Sequence, residues 1–447
     1  LKKTMKTQWT FLALAALMLV TACSSKTNPD AGPDIKTPDG KKTVVVSVMS
    51  KDAFLENAAK KFEELNPDIH IEIKEHLANP DLGNGMRAAL TKADIEKYVQ
   101  TVTTEVLSGK GPDLIAMDLL PEDKFIEKKV LVNFNEKFAK DPSFDKNHYY
   151  QNILQSSWNG DGLYSMPISF YVQVMQANAE LLKKHNVNID DQTWTWAQFA
   201  DITKKMKEQA GKEYSAFVNP YQIMADFITD NYATFVQKGN VSFDSDPFRD
   251  MMNQVKKMYD EKLIEASYND MGKMLFSLSA FNDPKRSLIQ MLDPKKGFYM
   301  KPTLNGQGNG LELKSFMNFG LNSQSKVEKE AWEFLKFMLS EEIQTSPDLN
   351  GFPVNKDATE AKLKEAGQSL DQDESAADIE IPDEKTLNET LQAIQNILNS
   401  KPQEKNNVDS KVIDIFFEEF DPFLKGQKSA EETSKLIQNR VKTYLNE

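Results

Sequence analysis

Apolar residues in the first third of the chain fall into runs and periods that predict alternating strands and helices. Val44-Val45-Val46-Ser47-Val48 is a nearly continuous apolar run of the kind buried on both faces of a sheet. Behind it Phe54, Leu55, Ala58, Phe62 and Leu65 recur at helical spacing, and Asn66-Pro67-Asp68 ends that helix. Ile69, Ile71 and Ile73 then alternate with polar residues as a second strand. Ile95, Tyr98, Val99, Val102 and Val106 line another helix, and Leu114-Ile115-Ala116-Met117 makes a third strand after Gly109-Lys110-Gly111-Pro112. Such alternation predicts an α/β fold with a parallel sheet.

Further along, Thr195 and Gln198 have capping-box spacing with Trp194 and Phe199 at the staple positions. The "TWTW" stretch therefore starts a helix, and its tryptophans serve packing. Asp246-Pro247 and Ser429-Ala430-Glu431-Glu432 open two more helices, so the C-terminal third is expected to be mainly helical.

The earliest apolar run, Phe11 to Val20, is too short for a membrane span of roughly 20 residues. Lys2, Lys3 and Lys6 precede it and Leu19-Val20-Thr21-Ala22-Cys23 follows, the layout of a secretory signal with a lipobox. This terminus resembles those of bacterial lipoproteins, which implies cleavage before Cys23 and lipidation of its sulfur. Residues 1–22 are expected as signal peptide. Residues 23–42, broken by Pro29, Gly32, Pro33, Pro38 and Gly40, are expected as a flexible tether.

Composition then narrows the chemistry. About 425 residues would remain after cleavage, too many for one core, so two lobes are expected. The net charge of −13 argues against nucleic acid as a partner. Cys23 is the only cysteine, which leaves no disulfide, thiolate ligand or thiol nucleophile once it is lipidated. His70, His76, His148 and His185 lack metal-ligand spacing. The carboxylates Asp371, Asp373, Glu374, Asp378, Glu380, Asp383 and Glu384 lack the glycine and spacing of a calcium loop and read as a solvated acidic segment. No nucleophile elbow or phosphate loop occurs. Residues 83–88 and 306–310 carry glycines in loops rather than a dinucleotide fingerprint. No metal and no cofactor is expected.

Several strings, in order, resemble the extracellular solute-binding proteins of ABC importers, in the carbohydrate-binding group: "KKFEELNPDIHIEI" (60–73), "TTEVLSGKGPDLIAMD" (103–118), "GLYSMPISFYVQVMQANAELLKKHNV" (162–187), "TWTWAQF" (193–199), "SKVEKEAWEFLKFMLSEEIQ" (325–344) and "GFPVNKDA" (351–358). The segment "GKMLFSLSAF" (272–281) only loosely echoes the family's pattern. The resemblance implies a two-lobed, type II periplasmic-binding-protein fold with discontinuous lobes. Residues 43–166 and 295–345 are expected in lobe one, and 167–294 and a helical 346–447 in lobe two.

Ligands of open α/β sheets sit beyond the carboxyl ends of the strands. Here those ends carry Ser50, Glu75, His76 and Asp118. Asp118 could grip sugar hydroxyls or serve a turn. The aromatic candidates for stacking on a sugar are Trp158, Tyr171, Tyr221, Phe227 and Phe281, with core burial the default for Phe227. The resemblance places Tyr171 where the chain crosses between lobes and Tyr221 in a segment that presents an aromatic to the ligand. The function expected is a lipid-anchored, monomeric receptor that captures a carbohydrate by hinge closure and hands it to an importer's transmembrane subunits. The competing classes are a surface-anchored polysaccharide-degrading enzyme, a folding factor and the solute-binding partner of a sensor.

Overall fold

A computed structural model describes residues 40–77, 91–211, 214–237, 240–266, 271–306, 310–377, 379–402 and 408–446. Cys23, the signal segment, most of the tether, the loop at 83–88, residues 307–309 and Asp378 lie outside them.

The predicted early elements are present. Strand β1 (Lys42–Val48) leads to a helix (Ala53–Leu65), then β2 (Ile69–Glu75), a helix (Lys92–Leu107) and β3 (Leu114–Ala116). Asp52 caps the first helix by accepting the Leu55 N–H, and Thr91 with Asp94 closes a reciprocal capping box on the second. The chain continues through β4 (Met166–Asn178), β5 (Ser215–Phe217), the hairpin β6 (Val236–Gln237) and β7 (Asn240–Val241), β8 (Met274–Phe281), β9 (Lys296–Tyr299), β10 (Glu312–Leu321) and β11 (Phe352–Pro353). Helices Lys356–Gln368, Glu384–Leu398, Ser410–Leu424 and Ala430–Asn446 make the C-terminal part helical.

Nine strands join one sheet in the order β2-β1-β3-β10-β4-β8-β5, with β9 and β11 also paired to β4. The expected parallel pairing holds for β1 with β2 and β3. Beyond them the sheet is mixed, because β10 inserts antiparallel between β3 and β4, and β8 runs antiparallel to β4. The early strand–helix alternation describes only the first three strands, and β10 arrives from far along the chain.

Two large hydrophobic clusters share this sheet. The first gathers Val44, Val46, Phe62, Ile168, Phe170 and Phe319 with Trp332, Phe334 and Phe352. The second gathers Trp194, Phe199, Phe227, Phe248 and Phe276 with Phe416, Phe420 and Val441. A smaller third, around Tyr98, Val102, Phe125 and Leu131, lies beside β3. Strand β4 belongs to both large clusters, since its residues up to Val174 join the first and Met175 and Ala177 the second. Residues 346–447 divide in the same way: Leu363, Ile394 and Leu398 pack in the first cluster, and Val412, Phe416 and Ile437 in the second. Near that passage Leu311 donates to the Lys401 carbonyl. Gly310, at φ +90, makes the approach possible, because a Cβ there would stand 2.6 Å from that same carbonyl oxygen.

Candidate functional site

The topology brings the four strand-end residues to one edge, as adjacent parallel strands must. At the end of β1, Ser50 donates to the Leu77 carbonyl at 2.9 Å, and the Lys51 N–H donates to Glu75 at 3.2 Å. His76 Nε2 lies 2.9 Å from Ser47 Oγ, and its ring meets Tyr98 edge-on at 5.5 Å. Burial, reinforced by Lys74, lowers the His76 pKa and favours the neutral ring.

Asp118 follows β3. Asn318 of β10 donates to it twice, from its side-chain nitrogen at 2.7 Å and from its backbone N–H at 3.2 Å. Asp118 is an exposed residue, yet its carboxyl is crowded by neighbouring protein atoms. Burial raises its pKa, and the Asn318 bonds oppose that rise. The residue before Asn318, Met317, is held at φ +55, a costly conformation for a side chain of this size.

From Asn318 the face continues along the β10–β4 ladder. Phe316 stands opposite Ser169, Lys314 opposite Tyr171 and Glu312 opposite Gln173. The intervening Leu313, Met317 and Phe319 pack into the first core, as a two-residue period requires. Phe316 is therefore a large aromatic on the polar face, and it is 42% exposed. Tyr171 is half-buried, and burial raises its hydroxyl pKa.

Beneath this face lies a compensated group of charges. Lys314 donates to Glu312 at 2.6 Å, Lys301 contacts the other Glu312 oxygen, and Lys301 also reaches Asp226 at 2.6 Å. Gln222 donates to the remaining Asp226 oxygen at 2.6 Å. Burial alone would neutralise Lys301, Lys314 and Glu312, but the opposite charges outweigh it, so the two lysines are raised and Glu312 is lowered. A cavity of about 20 Å³, room for one water-sized group, is lined by Gln173, Lys301, Thr303 and Glu312 among others. The side-chain oxygens of Gln173 and Thr303 are buried there without a hydrogen-bond partner among the described residues.

The remaining expected residues are placed differently. Phe281 pairs with Val172, so it faces away from Tyr171, and it is buried against Phe298 at a centroid distance of 4.8 Å. It lines a second cavity of about 480 Å³ with Val174, Tyr299, Leu311 and Ile397. That larger cavity shares none of the strand-end residues, and the polar face is the better candidate because sugar hydroxyls need converging donors and acceptors. Tyr221 packs on Phe417 and Phe420, and its hydroxyl donates to Asp421. Phe227 is buried among Phe235 and Phe248. Trp158 is 43% exposed, just before a turn whose Asn159 side chain donates to Asp123 at 2.6 Å.

The sequence reading missed Asn318, Phe316, Lys314, Glu312, Lys301 and Asp226. One signal was available: in "LELKSFMNF" the polar phase of the alternation is interrupted by Phe316, an aromatic where a charge would be ordinary.

The sequence profile of the bacterial extracellular solute-binding proteins matches residues 47–345. Among solved structures, the sugar-binding protein MalE from Xanthomonas citri superposes with a TM-score of 0.62 at 15% identity, covering 90% of this chain and 97% of that one. An ABC substrate-binding protein from Listeria monocytogenes in complex with cycloalternan gives 0.56 at 17% identity, covering 90% and 98%. A periplasmic oligogalacturonide-binding protein from Yersinia enterocolitica gives 0.58 at 15% identity, covering 90% and 99%. These likenesses establish the two-lobed type II periplasmic-binding-protein architecture.

Proposed function

The chain belongs to the bacterial extracellular solute-binding protein family, and on that premise we propose that it is the receptor of an ABC importer for a carbohydrate, most suitably an oligosaccharide. The observation that carries this reading is one face on which hydroxyl-gripping and ring-stacking groups converge. Asp118 with Asn318, Lys314 beside Tyr171, and exposed Phe316 stand along a single stretch of the β3–β10–β4 ladder. A saccharide needs both kinds of group, polar partners for its hydroxyls and an aromatic surface for its C–H face. The relatives of known structure, which include proteins for cycloalternan and for oligogalacturonide, agree with that class of solute.

The solute is bound and released without a bond being made or broken. Strands β4 and β8 pass from one large core to the other and serve as the hinge. A ligand touching both halves favours the closed form by its differential affinity for it, and the importer's transmembrane subunits read that form. Cys23 carries the lipid that anchors the monomeric receptor to the extracytoplasmic face of the cell membrane, with residues 23–42 as the tether.

Titration calorimetry against a panel of oligosaccharides, with small-angle scattering of the same samples, tests the reading. The expected result is saturable binding, a smaller radius of gyration with ligand, and chemically intact sugar on recovery. Cleaved sugar would assign the protein to the degrading enzymes instead. Loss of acylation in Cys23→Ala tests the anchor.

A further inference from the structure

We propose that Glu312 acts as a charge filter: by holding both Lys301 and Lys314 it leaves the floor of the site without an unpaired cation among the described residues, so the solute is a neutral saccharide rather than an acidic one. This rests on the carbohydrate reading above and narrows it. Among the described residues the linked group is two acids and two lysines, and two more acids, Asp191, which accepts the Met300 N–H, and Asp230, line the adjoining cavity. Each lysine is already bonded to a carboxylate, Lys314 to Glu312 and Lys301 to Glu312 and Asp226. The linked group is itself balanced and the neighbouring aspartates add only negative charge, so the described floor offers an anionic ligand no free cation.

A sugar carboxylate brought against this face would lose hydration and would need a cation to recover that cost. Lys314 is the one whose side chain is substantially open, 37% exposed, and it is bonded to Glu312 at 2.6 Å. Taking it for the ligand would set two carboxylates beside each other. What the floor does offer is a neutral acceptor. Gln173 stands opposite Glu312 in the ladder, and its carbonyl oxygen is buried with no donor among the described residues. A ligand hydroxyl satisfies it through one water in the adjoining cavity, without bringing charge.

The full-length protein is titrated with maltotriose, chitotriose, xylotriose and trigalacturonate at low and high salt. The expected result is that at least one neutral trisaccharide binds about tenfold or more tighter than trigalacturonate, with an affinity that salt hardly changes. In Glu312→Gln, which frees Lys314, the ratio of trigalacturonate to neutral affinity rises about tenfold, and in Lys314→Gln it does not. The salt dependence of the unsubstituted protein stands even where Glu312→Gln proves unstable. Preference of the unsubstituted protein for trigalacturonate would overturn the filter while leaving the carbohydrate reading intact. Binding of none of the four would overturn both.

Discussion

Asn318 donates to Asp118 through both its side-chain and its backbone nitrogen, although the two residues are 200 positions apart in the chain. The pair holds the Asp118 carboxylate in place, and the residue is exposed where a ligand can meet it. Replacing Asp118 by alanine is expected to weaken saccharide affinity by about 1–3 kcal/mol, the scale of a lost binding hot spot. Calorimetry checks this, and unchanged affinity would return Asp118 to a turn role.

The same carboxyl predicts a pH dependence. Burial raises its pKa, and an acceptor is lost when it takes up a proton. Affinity should therefore begin to decline on acidification at a higher pH than the ordinary aspartate value of about 4. A dissociation constant followed from neutral to acid pH tests it, with Asp118→Asn as the comparison. A decline of equal midpoint in both would remove Asp118 as its source.

Tyr171 and Phe316 are expected to act through their rings. Tyr171→Ala and Phe316→Ala should each cost about 1–3 kcal/mol of affinity. Phe316→Ala should leave the melting temperature nearly unchanged, because the ring is 42% exposed. A matching loss of melting temperature would mark it as a packing residue instead.

Lys301 is predicted to matter for stability. Its side chain is only 11% exposed, and its removal leaves Asp226 and Glu312 without their shared cation. Lys301→Ala should destabilise the protein by about 3–5 kcal/mol in urea titration. Adding Asp226→Asn and Glu312→Gln should recover part of that loss, since no buried carboxylate is then left without its cation and Lys314 reaches solvent. A loss under about 1 kcal/mol in the single variant would contradict the burial argument.

Beside Trp332 of the first core, Asp141 accepts from Lys336, from Ser143 and from the Trp332 indole. Lys336 foremost, with these other donors, holds its carboxyl well below the usual carboxylate range. A depressed carboxyl adds stability above its unfolded value of about 4, and that stability drains away as pH falls through the folded value. Asp141→Asn should lower the melting temperature at neutral pH by about 2–4 °C, and the gap should narrow toward acid. A gap independent of pH would contradict the assignment.

What could be read from the sequence was what is local or set by topology. The Thr195–Gln198 capping box exists as expected, with both reciprocal bonds, because it needs only four consecutive residues. Ser50, Glu75, His76 and Asp118 gather at one edge because neighbouring parallel strands end together. Phe281 could not be assigned a face until its pairing with Val172 was known, since a shift of one residue would have turned it toward Tyr171. Lys301, Glu312 and Asp226 were invisible for a related reason. Lys301 and Asp226 lie 75 residues apart and look like ordinary surface charges in the sequence.

The place of β10 in the sheet also sets the order in which the protein can assemble. Its neighbours β3 and β4 are both complete by residue 178, yet Phe319 is the partner of Ala116 and also of Met166. Until the ribosome has passed Leu321, both strands stand with bare edges, able to pair with any strand that reaches them. Closing so distant a gap is slow, because the loop must be confined before its contacts form. The young chain thus has a long interval in which a chaperone, or simply being kept extended, decides whether it reaches its own partner or another molecule's.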